Sequence, residues 1–162
     1  RCKTMTIIVY DGKTLATDKM AIDQDVKQST QKAWYAQHPQ LGKVIISGAG
    51  ELNKIQDMMS WYLKGAEPDK FPKSQMSTPF CQFIVVTKQN GYESNLLRWE
   101  QHPAPIKMGR SIFAIGQGSH FAYGAMAMGA SAEQAVEVAN RFSIFCGLGV
   151  DTYTLIKEKQ SA

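Results

Sequence analysis

The chain has 162 residues, about the length of one domain, and is 44% hydrophobic and 20% charged, which excludes wholesale disorder, collagen-like repeats and an extended coiled coil. Eighteen Lys and Arg against fourteen Asp and Glu give a net charge of +4, with no basic run and no aromatic-interleaved basic stripe, so nucleic-acid binding is not expected. No apolar run approaches the roughly 18 to 20 residues that cross a bilayer, and the first residues lack the apolar core of a secretory signal. With Cys2, Cys81 and Cys146 far apart and odd in number, no metal knuckle or disulfide framework can be built, and a soluble cytoplasmic protein is the expectation.

In chain order, Thr6 to Tyr10 and Lys13 to Thr17 are β-prone runs joined by Asp11-Gly12, a strong two-residue hairpin signal because Gly relieves the positive-φ requirement. The text from Thr17 to Gly42 is polar and weakly periodic. Lys43 to Ser47 restores a buried-strand pattern, and Gly48-Ala49-Gly50 turns it into a helix. In Glu51 to Leu63 the residues Leu52, Ile55, Met59 and Tyr62 give one apolar face, with Gly65 as the stop. Three prolines, Pro68, Pro72 and Pro79, mark a loop. Phe80 to Thr87 and Tyr92 to Trp99 flank Gln89-Asn90-Gly91 as a second hairpin, Pro103 and Pro105 break the strand, and Ile112 to Ile115 starts another. After Gly116-Gln117-Gly118 come two consecutive helices, the second opened by a capping-box pair, Ser131 and Gln134. Val150 to Ile156 is a final strand. Helices grouped between strand runs, with turns that demand antiparallel neighbours, predict two sheets covered by helices.

Individual motifs carry little chemistry. Gly48-Ala49-Gly50 and Gly116-Gln117-Gly118 begin like a dinucleotide-binding turn, but Asn53 and Phe121 stand where its third glycine belongs, so no cofactor is expected. His38, His102 and His120 are isolated and read as surface or helix-end residues, so no metal is expected either. Met20, Met58, Met59, Met126 and Met128 read as core filler; Trp34-Tyr35 and Trp61-Tyr62 suit a subunit interface and core packing equally.

Three blocks in register, TIIVYDGKTLATD, KVIISGAGE and FAIGQGSHFAYGAMAMGASAEQAVEVANRF with the following GLGVDTYTL, resemble the proteasome β-subunit and HslV family of N-terminal nucleophile hydrolases, especially short proteasome-like proteins of phage and prophage genomes. The resemblance covers Met5 to Leu155. It implies an α+β fold, a four-layer αββα sandwich of two antiparallel sheets, in which a mature N-terminal threonine attacks an amide. Residues 1–5 are then a leader or an expression remnant, 6–156 a single domain and 157–162 a charged tail.

On the family pattern Thr6 is the nucleophile, Lys32 its electrostatic partner, Asp18 the lysine's counter-charge, Gly48 the oxyanion donor and Ser119 a support for the amine, with Met20 and Ile46 near a substrate pocket of apolar preference. Counting back from Asp11-Gly12 without a gap puts Met5 at the nucleophile position; Thr6 takes it when the first strand is one residue shorter. Ser143 stands where the family places an acid and Cys146 where it places Ser or Thr. The resemblance further implies a homo-oligomeric ring acting on peptides, with an AAA ATPase unfoldase as partner. Retention of residues 1–5 would leave Thr6 without a free amine, making the chain an inactive structural or assembly protein, for example of a phage particle. Its place would be the host cytoplasm or the virion.

Overall fold

A computed structural model describes residues 6–89 and 93–155. Among the described residues eleven strands and three α-helices follow one another as β1 (Ile7–Tyr10), β2 (Thr14–Asp18), β3 (Met20–Asp23), β4 (Val26–Ser29), β5 (Ala33–His38), β6 (Gly42–Ala49), α1 (Leu52–Leu63), β7 (Gln82–Gln89), β8 (Glu93–Trp99), β9 (Ile106–Gly109), β10 (Phe113–Gly116), α2 (Ser119–Ala127), α3 (Ala132–Phe142) and β11 (Val150–Thr154). All pairings are antiparallel and form a four-stranded sheet β10-β1-β2-β11, a five-stranded sheet β5-β6-β7-β8-β9 and the small pair β3-β4.

The layers follow from strand alternation. Ile7 and Val9 of β1 pack with Ala16 and Ala114 against Ala122, Ala135, Val136 and Ala139 of α2 and α3. Ile8 and Tyr10 point the other way, meeting Ile45, Ile84, Val86 and Leu96 of the five-stranded sheet. The outer face of that sheet, with Val44, Ile46, Phe83 and Val85, is covered by Ile55, Met58, Trp61 and Tyr62 of α1. The order helix, sheet, sheet, helix is an α+β sandwich of four layers, as expected from the sequence. A strand buried on both faces reads as a continuous apolar run, and all four residues of β1 are fully buried. The alanine stripe of α3 lets its backbone approach β1 and β2 closely.

Turn chemistry fixes the ends of these layers. Gly12 takes φ +95°, and the Asp11 carboxylate closes its own turn by accepting from the N–H groups of Lys13 (3.0 Å) and Thr14 (2.8 Å). Its second oxygen accepts from Ala132 N–H at 2.9 Å, tying the hairpin to the start of α3. There the capping box forms: Gln134 N–H donates to Ser131 Oγ (3.2 Å) and Ser131 N–H to Gln134 Oε1 (3.0 Å).

Several expectations shift. The weakly periodic stretch before Gly42 holds three strands, β3 to β5; β4 is exposed throughout and pairs only with β3, so it carries no hydrophobic alternation to read. β9, between the prolines and β10, was likewise not expected, because two of its four residues are exposed and the others only half-buried. His38 is buried against Tyr62, its Nδ1 accepting from the N–H groups of Gln40 and Leu41, and is not a surface histidine. Trp61 and Tyr62 belong to the core, Tyr35 is exposed, and Met128 is 89% exposed and fills no core. The turn of the second hairpin, the end of the last strand at Ile156, the leader and the tail lie outside the described residues; β7 and β8 do pair, from Gln89↔Glu93 to Phe83↔Trp99. Among the described residues no helix is long and apolar enough to cross a membrane.

The core under α1 has a consequence in alkali. Burial pushes the Tyr62 hydroxyl up to about 12 and the Cys81 thiol up to about 11. The folded chain therefore keeps protons that the unfolded chain releases, and this part of its stability is complete below about pH 9 and is lost as pH rises through 11 and 12. The urea midpoint should fall between pH 8 and pH 11, and Cys81→Ala should move the onset of that fall to higher pH; a flat midpoint over this range contradicts the assignment.

Candidate active site

The carboxylate of Asp18, the last residue of β2, is fully buried and is met by donors from four segments of the chain. Oδ1 accepts from Lys32 Nζ at 2.6 Å and from Ile7 N–H at 3.2 Å; Oδ2 accepts from Met20 N–H at 3.3 Å and Gly147 N–H at 3.2 Å. Lys32 is itself buried, only 4% exposed, so the pair is an ion pair inside the protein and not a surface contact. A carboxylate removed from water is tolerable only with its oxygens hydrogen-bonded, as these are.

Ile7 follows Thr6 directly, so the same carboxylate anchors the backbone on which Thr6 sits. The Thr6 carbonyl accepts from Gln117 N–H at 3.1 Å, in the turn after β10. Gly116, at φ +107°, makes this approach possible: a Cβ there would stand 1.6 Å from the Thr6 carbonyl oxygen. Thr6, Ala49, Gly116, Gln117, Ser119 and His120 together line a recess of about 390 Å³.

The structure thus brings Thr6 and Ser119 to one recess, and Asp18 and Lys32 to one ion pair immediately behind the Thr6–Ile7 backbone. Gly48 ends up near the recess through its neighbour Ala49 and has no room for a side chain, since an added Cβ would stand 3.0 Å from Ile55 Cγ1 and 3.1 Å from the Gln82 carbonyl oxygen. Met5 lies outside the described residues. Met20 and Ile46 do not line the recess: Met20 is buried under the Gly147 segment and Ile46 packs into the core beneath α1, because β6 turns alternate side chains toward α1.

Other positions emerge only from the structure. Ser47 Oγ donates to the Lys32 carbonyl at 2.7 Å and fixes the backbone that delivers the ammonium. Gln117, in sequence merely the centre of a glycine turn, holds Thr6 and lines the recess. Cys146 packs against Gly118, an added Cβ on which would stand 2.9 Å from its Sγ. Burial raises the Cys146 thiol above its ordinary value; Asp18 pushes the same way, while Ser143 and Lys32 oppose. A buried, protonated thiol is not a rival nucleophile. No group of three or more His, Cys, Asp or Glu side chains among the described residues could hold a metal ion.

Among solved structures, the chain is similar to Anbu (ancestral beta-subunit) from Yersinia bercovieri, with a TM-score of 0.67 and 14% identity over 92% of this chain and 81% of that one. It is similar also to the Gly-1 mutant of Anbu from Hyphomicrobium sp. strain MC1, with a TM-score of 0.69 and 13% identity over the same shares. No family model and no curated protein matches the sequence. These findings correct the kinship suggested by the sequence blocks. Membership of the proteasome β-subunit and HslV family near short phage and prophage proteins does not stand; what the chain shares with the Anbu structures, at low identity, is their fold.

Two substitutions probe the arrangement. Lys32→Met leaves the Asp18 carboxylate buried beside an apolar group and should cost about 3–5 kcal/mol in urea unfolding; a loss below ~1 kcal/mol contradicts a structural ion pair. Gly116→Ala should cost ~2 kcal/mol or more, because it adds backbone strain and displaces Thr6.

Proposed function

We propose that the protein is an amide or peptide hydrolase whose nucleophile is the hydroxyl of Thr6, exposed as an N-terminal residue by removal of residues 1–5. The observation that carries this reading is the buried Asp18–Lys32 pair, whose carboxylate also holds the Ile7 N–H immediately after Thr6, so that a buried charged pair and a hydroxyl stand at one place.

In this mechanism the liberated α-amine, with an ordinary pKa of about 7.7–8.0, takes the proton from Thr6 Oγ as the oxygen attacks the substrate carbonyl. The Lys32 ammonium favours the developing alkoxide, and Asp18 keeps that ammonium charged and in place. The backbone N–H of Gly48 is the donor to the oxyanion of the tetrahedral intermediate, and Ser119 supports the amine. Collapse of the intermediate breaks the amide bond, the amine hands its proton to the leaving nitrogen, and Thr6 Oγ carries the acyl group as an ester. Water, deprotonated by the same amine, then releases the acid and restores the hydroxyl. The base exists only after cleavage, so activity is tied to maturation.

We extend the reading to a homo-oligomer. Phe142 (59% exposed), Ile144 (78%) and Leu148 (49%) crowd the end of α3 and the segment after it, and Phe121 stacks on Phe142 at 5.9 Å. Apolar surface concentrated in this way supports burial between subunits. Peptide substrates and a ring belong to this proposal.

A second reading rests on Ser143 and Cys146, which place a hydroxyl where the resemblance expects an acid and a thiol where it expects a hydroxyl. A chain that retains residues 1–5 has an amide nitrogen at Thr6 and no base, and serves as architecture. The two readings separate by covalent labelling. A peptide epoxyketone should add one equivalent to the native protein at Thr6, Thr6→Ser should still label, and Thr6→Ala should not. A native chain that begins at Thr6 and takes no label contradicts the hydrolase.

A further inference from the structure

We propose that the recess beside Thr6 selects substrates bearing a carboxylate on the side chain next to the cleaved bond, with Gln117 and His120 as the groups that recognise it. This inference rests on the hydrolase reading above and assigns its substrate class.

Chemistry at the walls carries the argument. Of the residues lining the recess, Ala49 and Gly116 supply no polar side-chain atom, whereas Gln117, Ser119 and His120 supply a carboxamide, a hydroxyl and an imidazole. All three side chains can donate. Among the described residues none of these three side chains is engaged elsewhere in the fold. The Gln117 backbone N–H is spent on the Thr6 carbonyl, which fixes the residue and leaves its carboxamide for a ligand.

Among the described residues that line the recess there is no Asp or Glu, and the nearby carboxylate of Asp18 is enclosed by four donors. Among them there is no large apolar side chain either: Met20 and Ile46 are buried in the core, and Phe121 stacks on Phe142. Among the described residues this recess of about 390 Å³ is rimmed by donors, which give a carboxylate hydrogen bonds that a leucine side chain cannot use. A hydrogen bond to an ionised carboxylate is charge-assisted, which separates glutamate from its neutral amide.

The test uses the full-length protein, matured so that it begins at Thr6 as judged by intact mass, and three peptide epoxyketones identical except for Glu, Gln or Leu beside the reactive centre. The Glu probe should label at least about tenfold faster than the Gln probe, and the Leu probe should be slowest. His120→Ala should narrow the Glu-to-Gln ratio about tenfold, and His120→Lys should restore much of it. Because the ratio is taken within one variant, a change in the fraction of folded protein cancels. Fastest labelling by the Leu probe, or equal rates for Glu and Gln, overturns the acidic preference while leaving the hydrolase intact. Absence of any adduct with all three probes overturns both.

Discussion

The structure is organised around one buried carboxylate. Asp18 receives the start of β1 through Ile7, the β2–β3 link through Met20, the segment before β5 through Lys32 and the segment between α3 and β11 through Gly147. A lone buried charge would be strongly unfavourable, so the lysine and the three backbone donors are conditions for Asp18 to be there at all. Two of the donors are also fixed in turn: Ser47 holds the Lys32 carbonyl, and Lys19 N–H donates to the Gly147 carbonyl at 3.1 Å. The site is thereby assembled by the same contacts that join the layers.

The sandwich supplies the remaining constraint, which is position. β1 is central in its sheet and buried on both faces, so its register against β2 and β10 leaves no freedom to slip. Thr6 stands one residue before that strand, with Gly116 closing on its carbonyl from one side and the Asp18 carboxylate holding its successor from the other. Such a residue is held by elements whose own packing is complete, which is the condition for preorganised chemistry. The recess before it is open, while Lys32 and Asp18 lie behind it, out of water.

What the sequence made legible was local. The Asp11-Gly12 turn and the Ser131–Gln134 box each act within a few residues, and each appears in the fold where its chemistry placed it. Helix α1 forms as expected, but its buried face is Ile55, Met58, Trp61 and Tyr62, with Leu52 exposed and Met59 only half-buried. β4 was hidden because an exposed strand has no alternation, and β5 because its apolar residues Ala33 to Ala36 run together instead of alternating. Asp18 and Lys32 lie 14 residues apart with no periodicity linking them, so only the resemblance suggested the pair. Gln117 and Ser47 had no signal at all: one acts through a backbone N–H in a glycine turn, the other through a hydroxyl inside an ordinary strand. Met20 and Ile46 were placed near a pocket by the resemblance alone; both are buried, and neither is among the described residues that line the recess. The same limit applied to kinship, where three blocks in register reflected a shared fold more than a shared family.

Everything chemical in this account depends on a free amino group at Thr6. The most direct measurement is the N-terminal sequence of the protein purified from its native cell. The account predicts a chain that begins Thr-Ile-Ile-Val at Thr6. A native chain that carries residues 1–5 intact, in its assembled and purified form, contradicts it and leaves the fold with an architectural role.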